Sequence, residues 1–144
     1  MGDKCLNCKY CGHKPNRQNK QIRIIHLDQS KNNYFLLCDT RLDIIDTEFS
    51  TIFYFPWSVA DYTDLINGKI IFNSKIKSTT YLEIQILDYV NNIILGSSGI
   101  ITKSGLHTFP LKNPTSDTSL NVQVRATDNI GKYPQILGMV LKYM

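Results

Sequence analysis

The sequence predicts an all-β protein, an antiparallel β-sandwich of jelly-roll type, and three observations carry that expectation. The first is composition: among 144 residues only Ala60 and Ala126 are alanine, against eighteen isoleucines and twelve asparagines. β-Branched side chains suit a pleated surface, whereas alanine and unbranched residues favour helices. The second is alternation, clearest where Leu82, Ile84 and Ile86 are interleaved with Glu83 and Gln85. A period of two marks a strand with one wet face. The third is punctuation: turn-forming pairs recur at short intervals, and no stretch sustains a 3.6-residue apolar stripe. A chain of this length makes one domain and buries roughly 70% of the surface it exposes when unfolded, enough for a core without disulfide staples.

Residues 1–20 read as a basic, cysteine-rich extension and residues 21–144 as the sandwich. Gln21 to Asp28 and Tyr34 to Cys38 are two short β-type runs joined by Gln29-Ser30-Lys31-Asn32-Asn33, a link of hairpin length. Ser50 to Phe55 is a β-branched and aromatic run that Pro56 is expected to stop. Asn67-Gly68 marks a turn before a strand over Lys69 to Lys77. Tyr81 to Asp88 is the strand already described. Asn91-Asn92, Gly96-Ser97-Ser98-Gly99 and Ser104-Gly105 then cut the chain into short strands. Leu120, Val122, Val124 and Ala126 alternate with Asn121, Gln123 and Arg125. Gln135 to Lys142 is apolar on both parities, as expected of a strand covered on both faces. Asp39 to Asp46 and Val59 to Ile66 have room for one or two helical turns each. Strands with one apolar face bury it only under a second sheet, at about 25 cal/mol per Å² of apolar area removed from water.

The run Gly99-Ile-Ile-Thr-Lys-Ser-Gly-Leu-His-Thr-Phe-Pro-Leu111, with Leu120-Asn-Val-Gln-Val-Arg-Ala126 and Pro134-Gln-Ile-Leu-Gly-Met-Val-Leu-Lys-Tyr143, resembles the last strands of galactose-binding-like jelly-roll modules. Such modules occur in carbohydrate-binding accessory domains and in viral or phage surface proteins. The resemblance covers about the last 75 residues and rests on pattern, so no binding residue is transferred from it. It implies a non-catalytic binding or structural role, with ligand loops at one rim of the sandwich.

Charge is unevenly placed. Residues 1–33 hold seven Lys/Arg against Asp3 and Asp28, a surplus of five, while the remainder holds nine against ten acids, so the whole net charge of +4 lies in the first quarter. A near-neutral body excludes a domain-wide nucleic-acid surface and leaves only the short basic segment to meet phosphate or an acidic partner. The N-terminus lacks the apolar core of a secretory signal, and no apolar stretch approaches the ~20 residues that a membrane-crossing helix needs. The expected setting is therefore the cytoplasm, or a virion if the chain is viral. The apolar C-terminal strand, placed at an edge, would pair with a second copy and give a homo-oligomer or particle assembly.

The best chemical candidate is Cys5-x2-Cys8-x2-Cys11-Gly-His13, whose thiolates and imidazole have the softness and spacing of one zinc knuckle. Three completions are open: a compact site from Cys5, Cys8, Cys11 and His13; Cys8 and Cys11 joined by His26 and Cys38 across the expected hairpin; or half a site from each of two chains. An iron–sulfur cluster fits less well, since the bacterial ferredoxin run needs a fourth cysteine three residues on. The alternative is free thiols on a tail, with Cys38 buried.

His107 shares parity with Phe109 and Leu111 and faces core or rim. Asp43 with Asp46, and Asp61 with Asp64, have the i, i+3 spacing of paired carboxylates, which equally suits turns and caps. Tyr54, Trp57 and Tyr62 are the aromatic candidates for stacking on a sugar or base, Trp57 being placed on a rim loop just after Pro56. Phe53 and Phe55 are expected in the core. No P-loop, nucleophile elbow, EF-hand or dinucleotide pattern is present. The expected role is a non-enzymatic structural or glycan-binding sandwich. The alternative is a small zinc protein that meets nucleic acid through its basic N-terminal segment.

Overall fold

The computed structural model describes residues 23–24, 34–127 and 131–143, and ten strands make up the regular structure of those residues. In order they are β1 (Arg23–Ile24), β2 (Tyr34–Cys38), β3 (Leu42–Asp43), β4 (Ser50–Trp57), β5 (Gly68–Lys75), β6 (Leu82–Asp88), β7 (Ile93–Ile101), β8 (Gly105–Leu111), β9 (Thr118–Ala126) and β10 (Gln135–Lys142). No helix occurs among the described residues. The strands form two five-stranded sheets. One has the order β1-β4-β9-β6-β7; the other runs β2-β10-β5-β8, with β3 also paired to β10. Every pairing is antiparallel except the short parallel contact of β1 with β4.

The alternation seen in the sequence sorts the side chains between core and surface. On β6, Leu82, Ile84 and Ile86 are fully buried, as are Leu120 and Val122 on β9. The other sheet supplies Leu37, Ile70, Phe72, Ile136, Met139 and Leu141, and all join one apolar cluster in a sandwich-like arrangement. Burial of both apolar faces in that single layer is the main stabilising term.

Four local expectations are corrected. The described parts of the expected hairpin do not pair with each other: β1 joins β4 in the first sheet and β2 joins β10 in the second. The alternation of Phe35 and Leu37 is satisfied against the core beside β10, which a two-stranded hairpin could not provide. Pro56 does not stop β4 but stands inside it, opposite Ser119. Among the described residues β1 pairs only with Phe53 and Tyr54, and Pro56 faces Ser119 of β9, so no described partner on the other side calls on the N–H that proline lacks. Among the described residues β10 is not an edge strand, since β2 and β3 flank it on one side and β5 on the other; nor is it covered on both faces, for Leu137 is exposed while Ile136, Met139 and Leu141 are buried. Neither Asp39–Asp46 nor Val59–Ile66 is helical. The first contains β3, and the second is a turn in which the N–H groups of Asp61 and Tyr62 donate to the Ser58 carbonyl at 3.2 and 3.1 Å.

The Asn67-Gly68 turn forms as expected, with Asn67 at φ 54°. Gly68 is required by packing: a Cβ there would lie 2.5 Å from Cε1 of Tyr143, whose ring closes the end of the core beside Trp57 and Phe35. The two sheets come together at a corner between β7 and β8. There a Cβ on Gly96 would lie 2.7 Å from the Pro110 carbonyl oxygen, and the Lys112 N–H donates to the Leu95 carbonyl at 3.0 Å.

Candidate functional site

The outer face of the β1-β4-β9-β6-β7 sheet carries the most organised set of polar side chains. Phe53, Phe55 and Trp57 point inward from β4, so Tyr54 points outward; by the same parity β9 presents Asn121, Gln123 and Arg125, and β6 presents Glu83, Gln85 and Leu87. A register shift between Thr51 and Phe53 places Ile52 in the core and returns Thr51 to the outer face.

Register then aligns these residues in rows across the strands. Thr51, Gln123, Gln85 and Ser97 stand side by side on β4, β9, β6 and β7. On one side the row Tyr54, Asn121, Leu87 and Ile94 borders them; on the other lie Arg125, Glu83 and Ile100. The central row is joined by directed hydrogen bonds. The Gln85 Nε2 donates to Gln123 Oε1 at 2.8 Å, and the Gln123 Nε2 donates to Thr51 Oγ1 at 3.4 Å. Arg125 Nε and Nη2 both donate to Glu83 Oε1, at 2.9 and 2.7 Å, and the guanidinium lies 4.6 Å from the centre of the Phe49 ring. Ser119 Oγ donates to Asn121 Oδ1 at 2.9 Å.

These contacts fix the side chains without exhausting them. An amide has two donors and a two-lone-pair acceptor, so each glutamine retains an N–H and acceptor capacity beyond these bonds. A row of held, half-used amides beside a tyrosine ring and a guanidinium matches a ligand dense in vicinal hydroxyls.

No family model, curated protein or solved structure matches this chain.

Of the residues singled out in the sequence, Tyr54 falls on this face. Trp57 does not occupy a rim loop: it is the last residue of β4, 3% exposed, with Tyr62 and Tyr143 packed against its ring at 4.8 and 6.2 Å. The core claims it because β4 runs on through Pro56, which keeps Trp57 in inward parity. Tyr62 is half-buried against Trp57, and burial together with the nearby Asp61 carboxylate raises its hydroxyl pKa. His107 is half-buried on β8, stacks on Phe72 at 5.4 Å, and has Nε2 2.8 Å from the Lys103 carbonyl oxygen. Cys38 is buried in β2, its Sγ donating to the Thr40 carbonyl at 3.0 Å. Cys5, Cys8, Cys11, His13 and His26 lie outside the described residues. The expected meeting of His26 with Cys38 was to follow from a hairpin over Gln21 to Cys38, of whose first run only Arg23 and Ile24 are described, paired with β4. Among the described residues, no group of three or more His, Cys, Asp and Glu is placed to hold a metal ion.

The paired acids divide. Asp43 accepts from Gln135 Nε2 at 2.7 Å, and Asp61 and Asp64 are exposed on the turn after β4. The buried acid is Asp88, which ends β6 and accepts from the Thr118 hydroxyl, the Asn91 N–H and the Asn91 side-chain amide. Burial acts to raise its pKa, but these bonds and the backbone amide of Val90 outweigh burial and hold it below the usual carboxylate value. A cleft of about 460 Å³ at the β7–β8 corner is lined by Asn67, Ile94, Gly96, Ser97, Pro110 and Lys112.

Gln85, Gln123, Thr51, Glu83 and Arg125 were not among the sequence candidates. Their outward parity was legible, but the alignment of rows from strands up to 72 positions apart was not.

Proposed function

We propose that the protein is a glycan-binding module of jelly-roll topology, acting through the outer face of the β1-β4-β9-β6-β7 sheet. The strand order supports the fold reading. Counting only the eight strands of five residues or more, the first pairs with the last, the last with the third and the third with the sixth; in the other sheet the order is second, seventh, fourth and fifth. A jelly roll joins two Greek keys in an order of this kind, which is what supports the reading.

The observation that carries the functional reading is the row Thr51-Gln123-Gln85, in which each amide is oriented by a neighbour and keeps hydrogen-bonding capacity for a ligand. The expected site moves accordingly from a rim loop to a sheet face, with Tyr54 retained and Trp57 given up to the core. A glycan array probed with the full chain and with the Gln85→Ala/Gln123→Ala double variant tests the reading. Binding by the full chain, lost in a double variant that keeps its melting temperature, is the expected result. An array without signal, or equal binding by both proteins, refutes it.

A further inference from the structure

The cleft of about 460 Å³ at the corner between β7 and β8 lies outside the hydrogen-bonded amide row. Three segments frame it: Ile94 to Ser97 of β7, Pro110 to Lys112 where β8 ends, and the Asn67-Gly68 turn. Main-chain contacts tie these segments together. The Lys112 N–H donates to the Leu95 carbonyl at 3.0 Å, and Gly68 stands opposite Leu111 in the ladder of β5 with β8. A register shift between Ile86 and Leu87 makes Leu95 the extra residue of β7, with its side chain buried and its carbonyl given to Lys112. Gly96 and Gly68 are each closed in by a neighbour, the Pro110 carbonyl and the Tyr143 ring, so the frame is fixed before any ligand arrives.

The lining divides by chemistry. Leu95 and Leu111 are buried, while Ile94 and Pro110 are exposed. An isoleucine 44% exposed at a concavity offers apolar area that a ligand can remove from water. Lys112 is an exposed cation among the lining residues, and Ser97 Oγ, which accepts the Gly99 N–H at 3.1 Å, keeps its own proton to donate. Apolar walls with a cation and a hydroxyl donor complement a ligand that has an apolar body and a compact anionic end. A sugar, polar on every edge, would leave Ile94 and Pro110 unmatched. At about 30 Å³ per water-sized group the volume takes about fifteen such groups, which suits a ligand of about ten to twelve non-hydrogen atoms.

We infer that this corner binds a small amphiphilic carboxylate, its aliphatic chain against Ile94, Leu95 and Pro110 and its anionic end paired with Lys112. The inference is independent of the glycan-binding reading and stands or falls without it.

Amide chemical-shift titration of the isotope-labelled full chain tests it, with octanoate as the probe and 1-octanol as its uncharged counterpart. Octanoate is expected to give saturable shifts clustered at Ile94 to Ser97, Leu111 and Lys112, with a dissociation constant in the millimolar range or tighter, as the usual contribution per atom gives for about ten atoms. It is expected to bind about two- to fivefold more tightly than 1-octanol, the worth of one exposed ion pair. Lys112→Gln, which keeps the main-chain bond to Leu95, is expected to abolish that preference. Ile94→Asp, compared at unchanged melting temperature, is expected to weaken octanoate binding about tenfold or more by removing an apolar wall and adding a like charge. Shifts that do not saturate or that fall elsewhere, equal affinity for the two probes, or a preference that survives Lys112→Gln overturns the inference. Should Ile94→Asp fail to fold, Lys112→Gln alone decides.

Discussion

Asp88 shows at the residue scale how a charged side chain is retained in a β-rich core. It is 2% exposed, yet its oxygens are met by Thr118 and by both the main chain and side chain of Asn91, so it joins the end of β6 to the start of β9. Because its pKa is lower in the folded chain than the ~3.9 of an unfolded aspartate, the ionised form favours folding. That stabilisation is fully present above the unfolded value and disappears as pH falls through the folded one. Urea denaturation between pH 6 and pH 2 is expected to show stability declining from about pH 5 downward. The Asp88→Asn variant is expected to be less stable than wild type at pH 6 and to have a flatter profile over the acid range. Identical profiles would show that Asp88 is not the linked group. Trp57 illustrates the opposite case, in which an aromatic ring that suggested a ligand is spent, together with Tyr143, on closing the core. Burial raises the pKa of the Tyr143 hydroxyl, whose remaining partner is the Asn113 side-chain oxygen at 3.3 Å.

Among the elements, β6 and β9 were legible in the sequence because each is central in its sheet and has one apolar face, so local pattern and tertiary burial agree. β1 and β2 were not. Their turn-rich connection has the composition of a hairpin, and only the distant strands β4 and β10 show that they part company. The same cause hid the candidate site: parity put Gln85 and Gln123 on a wet face, but a hydrogen bond between residues 38 positions apart depends on register that no local signal encodes. The corner between β7 and β8 is likewise a tertiary feature, and it makes Gly96 irreplaceable. Its missing Cβ lets the Pro110 carbonyl approach, and since that obstacle is backbone it cannot swing aside. Gly96→Ala is therefore expected to cost about 1–3 kcal/mol in chemical denaturation, the usual range for overpacking. A loss below ~0.5 kcal/mol would show that the corner yields.

For the molecule as a whole, the buried apolar residues described, from Phe35 to Tyr143, form one continuous cluster shared by the two sheets. That cluster gives the two sheets a core of their own. Removal of residues 1–20 is expected to leave cooperative thermal unfolding with a melting temperature within about 4 °C of the full chain, a shift that corresponds to ~1 kcal/mol or less at this size. Loss of the transition would make the cysteine-rich segment an organiser of the fold. The pairing of β2 with β10 has a further, mechanical consequence. Tyr34 stands opposite Lys142, so the leading end of one strand lies beside the trailing end of the other. A load drawing those two points apart opens the ladder one rung at a time, as a zip fastener opens, and does not shear all its rungs together. Pulled at those two points, the seam that brings distant parts of the chain together resists with the strength of one rung at a time.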